Sequence, residues 1–332
     1  MSILNTNYLG FELSNPLIPG ASPMCNDLSV VRRLEDAGAP MLIMYSIFQE
    51  QIIREQMALN YGMEIADNSN PETVTYLPRP DEFRVGPDEY LELLGKIKRA
   101  VHIPVVASLN GRNLGGWVDY AKELQQAGAD AIELNIYDPI LDPSVDAASV
   151  ENHSIDVIRE VRQAVKVPLA VKISPFYTNV VHFAARIDKL GVNGIVLFNR
   201  FYQPDIDIEN LDVLPDLKLS TPVELLQRIR YTAALHGKVK ADLAVTGGVH
   251  SADGVIKSIM AGASAVQMVS ALLTHGPDYL RRIRNDLVHW LEFHEYKSLA
   301  QAKGSMSLEN TPNPAAFERG NYMRILQTWS PE

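Results

Sequence analysis

A repeated junction between helix and strand is the feature that most constrains how this chain can fold. In four places a segment of helical pattern ends in a small or apolar residue and glycine, and an apolar strand pattern follows at once: Ala37-Gly38-Ala39, Ala127-Gly128-Ala129, Leu190-Gly191-Val192 and Ala261-Gly262-Ala263. At two further junctions, Pro104 and Pro168 precede the strand. Glycine ends a helix, and proline prevents the helix from resuming. The six junctions predict alternating strands and helices rather than separate layers of each.

Eight apolar runs stand at the strand positions of this pattern. They predict strands at Leu17–Gly20, Met41–Tyr45, Val105–Leu109, Ala131–Ile136, Leu169–Ile173, Gly194–Phe198, Asp242–Val245 and Ala265–Met268. Amphipathic segments between them predict helices, among them Leu28–Ala37, Glu89–Ala100, Trp117–Gln126, Ile155–Ala164, Val181–Leu190, Pro222–Leu235 and Asp278–Trp290. Near-continuous apolar strands are typical of a sheet covered on both faces. The pattern favours an α/β fold, a (β/α)8 TIM barrel, with an open doubly wound sheet as the alternative.

The connections between these elements are unequal in length. The helix-to-strand joins are short, whereas three strand-to-helix loops are long: Ser46–Asp88, Tyr137–His153 and Asn199–Thr221. In a barrel such loops lie on the C-terminal face, where active sites form, and long loops without regular structure are usually lids or binding loops. We expect a single domain over residues 1–332, with a β-hairpin in 1–15, the barrel in 16–292 and a C-terminal extension in 293–332.

The composition limits the classes of function. The chain has a formal net charge of −10, which argues against a nucleic-acid partner or an anionic membrane surface. No apolar run approaches the roughly 18 residues of a membrane-spanning helix. The only cysteine, Cys25, allows no disulfide within the chain and no all-cysteine metal site, and His153 and His182 show no metal-ligand spacing. These features indicate a cytoplasmic enzyme of a small-molecule substrate, without a metal.

Two glycines after the seventh predicted strand indicate a phosphate site. Gly247 and Gly248 stand between a strand and a helix, where they leave backbone amides unobstructed at a positive helix end. Val269 and Ser270 follow the eighth strand and offer further amides and a hydroxyl. The glycine pair could instead be only a tight turn. In barrels, however, the loops after strands seven and eight commonly hold phosphate, so we expect a phosphate monoester held there without Lys or Arg.

Polar residues stand at four other strand ends. Lys172 lies inside the apolar fifth strand, where it must meet an anion or electron-rich partner unless it turns outward at the rim. Asn135 ends the fourth strand, and Asn110 and Asn199 follow the third and the sixth. Three asparagines at one end of a barrel suit an amide-rich planar ligand, although any one of them could be a turn residue.

Taken together, these residues resemble the class 1 dihydroorotate dehydrogenases and their flavin-dependent relatives. The matching pieces run from Asn15 to about Leu299: Asn15-Pro16 with Ala21-Ser22, Glu133-Leu134-Asn135, Val171-Lys172 with Pro175, Asn199, Thr246-Gly247-Gly248, Gly262-Ala263 and Gln267. The resemblance implies an FMN cofactor whose phosphate lies at Gly247, Gly248, Val269 and Ser270. It also implies flavin contacts from Ala21, Ser22, Ser46, Asn110 and Asn135, with Lys172 beside flavin N1 and O2.

The sequence departs from the family pattern mainly on the substrate side. The family has a catalytic Cys or Ser in the loop after strand four, and here that position is Asp138. A carboxylate can act as a base, but Asp138 could also simply begin a turn with Pro139. Cys25 follows the first strand and is no substitute, and Val269 replaces a glycine of the phosphate loop. Arg200 could restore a positive group for an acidic substrate, and so could Arg112.

The leading hypothesis is an FMN-dependent oxidoreductase similar to dihydroorotate dehydrogenase. It would move a hydride between flavin N5 and a C–C bond next to a carbonyl, in dihydroorotate or a related dihydropyrimidine or enoate. Asp138 would transfer the proton, Lys172 would stabilise the reduced flavin, and Asn135, Asn199 and Arg200 would bind the substrate. One alternative is a flavin-binding electron-transfer or regulatory protein without that activity, and another is an aldolase in which Lys172 forms a Schiff base. The resemblance also implies a homodimer, and it leaves the electron acceptor unknown.

Overall fold

A computed structural model of the chain describes residues 2–48, 87–110, 116–137, 140–200, 204–214, 217–317, 319, 322–328 and 330. The strands are β1 (Thr6–Tyr8), β2 (Phe11–Leu13), β3 (Leu17–Pro19), β4 (Leu42–Phe48), β5 (Val105–Asn110), β6 (Ala131–Asn135), β7 (Leu169–Ile173), β8 (Gly194–Leu197), β9 (Asp205–Asp207), β10 (Asp212–Leu214), β11 (Asp242–Thr246) and β12 (Ala265–Met268). The α-helices are α1 (Leu28–Asp36), α2 (Pro87–Ala100), α3 (Gly116–Gln126), α4 (Ala147–Ala164), α5 (Val180–Asp188), α6 (Leu225–Leu235), α7 (Ala252–Ala261), α8 (Ser270–His275), α9 (Tyr279–Phe293), α10 (Leu299–Ala302) and α11 (Tyr322–Leu326).

Eight of these strands form one parallel sheet, in the order β3-β12-β11-β8-β7-β6-β5-β4. Each barrel strand from β4 to β12 pairs with the next barrel strand along the chain, and β12 returns to pair with β3. The sheet is therefore a nearly closed barrel with helices around it, which confirms the predicted (β/α)8 fold. The strands are buried on both faces, as their apolar runs indicated.

Capping residues explain where several helices begin. The carboxylate of Asp27 accepts a hydrogen bond from the Ser29 amide before α1, and that of Asp146 accepts one from the Ser149 amide before α4. Because of the second cap, α4 begins at Ala147, eight residues before the predicted start at Ile155. The predicted long loop Tyr137–His153 is correspondingly shorter.

The N-terminal hairpin β1–β2 closes one end of the barrel. The predicted hairpin turns at Leu9 and Gly10, and both have positive φ angles. Tyr8 and Leu9 are buried among inward-facing barrel side chains, and the Leu9 amide donates to Asp242 Oδ2 at 2.9 Å. Gly194 makes room for this, because a Cβ there would lie 2.6 Å from Leu9 Cδ2. The hairpin occupies the N-terminal end and leaves the C-terminal end of the barrel for a ligand.

The loop after β8 contains a second hairpin that sequence reasoning did not predict. Within the predicted loop Asn199–Thr221, β9 pairs with β10 in antiparallel register. The intervening turn is closed by Asp207 Oδ1, which accepts from the amides of Glu209 and Asn210. Ile206, Leu211 and Val213 are exposed on it. Two three-residue strands in a polar stretch give too short an alternation to distinguish from a loop.

The C-terminal extension is made of short pieces, and its first part is bonded to the barrel and the N-terminal segment. It contains α10, a 3-10 helix at Pro314–Phe317 and α11. The Leu299 amide donates to the Ile3 carbonyl at 2.8 Å, and Lys303 Nζ donates to Ser264 Oγ at 2.6 Å. No helix in the described part of the chain has the length and hydropathy to span a membrane.

Candidate active site

A cavity of about 410 Å³ lies at the C-terminal ends of the barrel strands. Its lining includes every described residue that sequence reasoning assigned to a ligand: Ala21, Ser22, Ser46, Asn110, Asn135, Lys172, Asn199, Arg200, Gly247, Gly248, Val269 and Ser270. Asp138 and Arg112 lie outside the described residues. Tyr137, the residue before Asp138, lines the cavity. The fold thus gathers residues from eight separate strand ends or loops at one place, while their individual roles stay predictions.

The two-glycine turn after β11 has a backbone that other residues would not adopt easily. Gly247 and Gly248 have φ angles of +87° and +81°, in the region that favours glycine. A Cβ on Gly248 would lie 2.5 Å from the Leu225 backbone nitrogen, and the contact is with backbone at the start of α6. Glycine is therefore required at position 248 for two reasons: the backbone has a positive φ angle, and a side chain would collide with the Leu225 backbone.

The Ser220 hydroxyl binds the Gly248 amide at this turn, and the Ser270 hydroxyl binds Ser220. Ser220 Oγ accepts from Gly248 N at 3.1 Å and donates to Ser270 Oγ at 2.8 Å, and the Ser220 amide also donates to Ser270 Oγ at 3.0 Å. Both serines are buried. Sequence reasoning did not identify Ser220, whose partner Ser270 lies 50 residues away in the sequence.

A buried arginine stands directly behind the turn. The Arg228 side chain donates from Nε to the Thr246 carbonyl at 3.0 Å, and a Cβ on Gly247 would lie 3.0 Å from its Nη2. Burial lowers the pKa of Arg228, but a guanidinium stays charged in proteins. Arg228 does not line the cavity and also contacts Glu224, so the expectation of an anion site without Lys or Arg stays a prediction. Sequence reasoning did not name Arg228, although it stands within the predicted helix Pro222–Leu235.

Val269 replaces a glycine of the family's phosphate loop, and the structure shows what makes room for it. Val269 Cγ2 lies 2.8 Å from the position that a Cβ on Gly20 would take. Because Gly20, just after β3, has no side chain, the Val269 side chain fits beside it at the end of β12.

Lys172 meets an anion inside the barrel rather than turning outward. Its Nζ lies 2.5 Å from Glu133 Oε1, and the two side chains are 9% and 1% exposed. Glu133 Oε2 accepts a second hydrogen bond from Gln267 Nε2 at 2.5 Å. Lys172 and Gln267 line the cavity. Sequence reasoning predicted a partner for Lys172 but did not name Glu133, although an acidic residue inside an apolar strand requires a cation for the same reason.

Tyr8 lies beneath this group and links it to the N-terminal hairpin. Burial, followed by the negative charges of Glu133 and Asp242, raises the pKa of Tyr8 well above its usual value, and contact with Gln267 opposes this in part. The tyrosine is therefore a neutral hydroxyl below the charged pair.

The Asn135 side-chain nitrogen faces several hydrogen-bond acceptors, whereas its side-chain oxygen has no partner in the described part of the chain. Its Nδ2 lies 3.0 Å from Ser46 Oγ, 2.9 Å from Ser108 Oγ and 3.2 Å from the Leu109 carbonyl. In the described part of the chain, its buried Oδ1 has no hydrogen-bond partner, and neither does the Ser22 hydroxyl. Both residues line the cavity. Buried polar atoms are rarely left unpaired, so these atoms indicate where a polar ligand would bind.

The substrate-side candidates Asn199 and Arg200 are already engaged within the protein. Asn199 Nδ2 donates to the Lys172 carbonyl at 3.0 Å, which ties the ends of β7 and β8 together. Arg200 Nε lies 3.4 Å from Glu224 Oε2, and both side chains are about one-third exposed. Asn199 keeps its amide oxygen for a ligand, and Arg200 offers a partly compensated positive charge.

Cys25 is excluded as a catalytic base by its surroundings. The thiol is 1% exposed and donates to the Ile43 carbonyl at 3.4 Å. Burial raises the pKa of Cys25 to about 12, so the reactive thiolate is scarce near neutral pH. Among the residues that the structure describes, no three His, Cys, Asp or Glu side chains cluster closely enough to hold a metal ion.

We expect Cys25 to resist alkylation in the folded protein. At about pH 8, iodoacetamide should react at least about 100-fold more slowly with the native protein than with the urea-unfolded chain, whose thiol has an ordinary pKa near 8.5. Mass spectrometry of quenched samples measures both rates. Fast modification of the native protein, accompanied by loss of activity, would contradict this assignment.

The fold and the cavity define a (β/α)8 barrel with a two-glycine turn and Ser270 at its last two strands and the buried Lys172 in the same cavity. The sequence comparisons identify the family. A family model for dihydroorotate dehydrogenase matches residues 84–291, and the chain belongs to this family, whose members are flavoprotein oxidoreductases acting on CH–CH groups.

Curated relatives match over most of their length at low identity. The catalytic subunit of dihydroorotate dehydrogenase B (NAD(+)) from Methanocaldococcus jannaschii is 27% identical over 307 residues, which cover 87% of this chain and 94% of the relative. The protein of the same name from Thermoplasma acidophilum is 25% identical over 313 residues, covering 92% and 99%. The resemblance drawn from the motifs is confirmed.

Proposed function

We propose that this chain binds FMN in the barrel cavity and uses it to exchange a hydride with a C–C bond next to a carbonyl, in dihydroorotate or a related dihydropyrimidine or enoate. One observation supports this above the others. Gly247, Gly248 and Ser270 line one end of the cavity, where an anion cradle is expected, and the buried Lys172 stands at another strand end of the same space. A nucleotide with a phosphate tail and an electron-accepting ring requires both.

The residues present fit FMN. The cradle offers the hydroxyls of Ser220 and Ser270, the first of which is held by the Gly248 amide, with Arg228 behind them. The unpaired Asn135 Oδ1 and Ser22 Oγ offer hydrogen-bonding atoms in the lining. The bound cofactor would supply the hydride-accepting chemistry, and the protein supplies orientation and electrostatics.

The chain's own residues would divide the remaining tasks. Lys172 would stabilise negative charge on the reduced ring, and Asn110, Ser46 and Asn135 would orient it through hydrogen bonds. Asn199 and Arg200 would bind the polar groups of the substrate. Asp138 would take the proton from the substrate carbon, at the position where the family resemblance implies Cys or Ser.

The Asp138 assignment predicts a selective loss of chemistry. Asp138→Asn should lower the rate of flavin reduction by substrate about 100-fold or more, because a general base of this kind contributes about 100-fold to 10,000-fold. The spectrum and the affinity for FMN should be unchanged. Anaerobic stopped-flow absorbance measures the rate.

A nearby acid in the same loop provides the control for Asp138→Asn. Asp142 is exposed and, among the described residues, accepts hydrogen bonds from Ser144, so Asp142→Asn should leave the rate of flavin reduction unaltered. If Asp138→Asn also turned over substrate at the original rate, Asp138 would not be the base.

Screening substrates against the bound flavin tests the proposed reaction itself. Dihydroorotate, other dihydropyrimidines and enoates would be mixed anaerobically with the yellow protein or with its reduced form. We expect at least one class to bleach or restore the flavin absorbance. If none does, the alternative of a flavin-binding electron-transfer or regulatory protein is favoured.

The ion pair between Lys172 and Glu133 disfavours the aldolase alternative. Schiff-base formation requires an amine with a free lone pair, whereas Lys172 is held in an ion pair with Glu133. Borohydride treatment with an aldehyde should therefore trap no adduct.

The remaining proposals concern organisation and partners. We propose that residues 1–332 form one domain and act in the cytoplasm as a homodimer, for which the exposed apolar hairpin side chains Ile206, Leu211 and Val213 offer a surface. The relatives' names specify a catalytic subunit and NAD(+). NAD(+) is therefore the first electron acceptor to assay with the purified chain, alone and in cell extract.

A further inference from the structure

We propose that Glu133 is a charge-compensating residue that sets the reduction potential of the bound flavin through Lys172. The inference rests on the proposed function, because it concerns the same cavity, and it assigns a task to a carboxylate that no step of the proposed reaction uses. Glu133 touches neither cavity nor solvent: its side chain is 1% exposed and is absent from the cavity lining.

The strand register places Glu133 one layer below the ligand. In the pairing of β6 with β7, Asn135 stands opposite Lys172 and Glu133 stands opposite Ala170. Residues two apart on a strand face the same side, so Asn135 and Glu133 both face the barrel interior, with Asn135 nearer the C-terminal end. The positive end of the pair borders the cavity, and the negative end lies beneath it.

The contacts of Glu133 fix its carboxylate toward Lys172. Its Oε1 binds Lys172 Nζ, and its Oε2 accepts from Gln267 Nε2. Among described residues these are the two side-chain hydrogen bonds made by the carboxylate. Because both oxygens are bound, the carboxylate cannot rotate away, and the lysine is held at one position.

This arrangement has a definite electrostatic sign. Reduction adds negative charge to the flavin ring, which a bare ammonium would favour strongly. The nearby carboxylate cancels much of that field, since the group charge of the pair is zero and the pair acts on the cavity as a dipole. Glu133 therefore lowers the preference for reduced flavin below what Lys172 alone would give, and keeps the cofactor able to pass its electrons on.

The electrostatic argument predicts the order of four proteins. The two-electron midpoint potential should be highest in Glu133→Gln, then fall through the unsubstituted protein and the double variant Glu133→Gln/Lys172→Met to Lys172→Met. Glu133→Gln should raise the ratio of affinities for reduced and oxidised flavin about tenfold, which corresponds to about 30 mV for a two-electron couple. Glu133→Asp, which keeps the charge but withdraws it, should move the potential in the same direction by less.

A matched control separates this role from general effects of charge removal. Glu151 forms an ion pair with Arg186 at 3.0 Å between α4 and α5, away from the cavity lining. Glu151→Gln makes the same chemical change and should leave the potential unchanged. A purely structural role for Glu133 would weaken binding of both redox forms equally and would not move the potential.

The test is a spectroscopic redox titration of FMN bound to these variants, all measured at the same pH of about 6.5, well below the ordinary lysine pKa of about 10.4. The predicted order supports the proposal. If the unsubstituted protein binds FMN but Glu133→Gln and Glu133→Asp leave its potential unchanged, the role of Glu133 is overturned and the proposed function stands. If the unsubstituted protein binds no flavin, both fail. Glu133→Asp and Lys172→Met keep the question decidable even if Glu133→Gln does not fold.

Discussion

In the Gly248→Ala variant we expect FMN to bind about 100-fold more weakly, as two hydrogen bonds to a charged phosphate are worth about 3 kcal/mol or more together. The added Cβ would stand 2.5 Å from the Leu225 backbone nitrogen, so either the turn or the start of α6 must move. Either movement displaces the Gly248 amide from Ser220, which in turn binds Ser270. Fluorescence titration with FMN measures the loss, because the free flavin is strongly fluorescent.

The control for this change is a glycine of similar conformation with open space around it. Gly191 has a φ of +76°, and nothing lies within 4 Å of its Cβ position. Gly191→Ala should therefore cost only about 1 kcal/mol in the free energy of unfolding, for placing a side chain at positive φ. It should leave FMN affinity unaltered. Equal FMN affinity in both variants would show that the turn after β11 does not hold the phosphate.

The second large effect concerns the buried ion pair. Lys172→Met should lower the free energy of unfolding of the flavin-free protein by about 3 to 5 kcal/mol, because it leaves the Glu133 carboxylate buried without its cation. Adding Glu133→Gln to this variant removes the stranded charge and should restore most of the loss. Urea denaturation followed by circular dichroism measures all three proteins.

An exposed ion pair provides the comparison for this result. Lys122 and Asp119 form a pair at 3.1 Å on the surface of α3, with side chains 46% and 77% exposed, and Lys122→Met should change stability by less than about 1 kcal/mol. If Lys172→Met were as mild, or if the double variant were no more stable than Lys172→Met, then Lys172 and Glu133 would not depend on each other in the fold.

The barrel was predictable because its signals are local. The glycine or proline at a helix-to-strand junction and the apolar run after it lie within a few residues of each other. The strand positions were therefore predicted to within two or three residues. The predicted start of α4 was wrong because the helix begins after one capping residue, Asp146, and its first turn is only weakly amphipathic. The hairpin β9–β10 was missed because its strands have three residues each.

A site residue could be predicted from the sequence where one physical reason accounts for its residue type. Gly248 and Lys172 were of this kind, since a side chain or an unpaired charge would be costly at either position. Glu133, Ser220 and Arg228 were not identified because each acts through a partner distant in sequence: Lys172 is 39 residues from Glu133, and Ser270 is 50 residues from Ser220. Such pairings become apparent only when the barrel brings the strand ends together.

The most direct test of the account is to compare FMN with riboflavin as ligands of the purified, flavin-free protein. The two share the ring and differ in the phosphate that we place against Gly248, Ser220 and Ser270. We predict one FMN bound per chain, at least about 100-fold more tightly than riboflavin, because several charge-assisted hydrogen bonds are lost with the phosphate. Equal affinities for the two, or no binding of either, would contradict the claim that this barrel is built around a flavin phosphate.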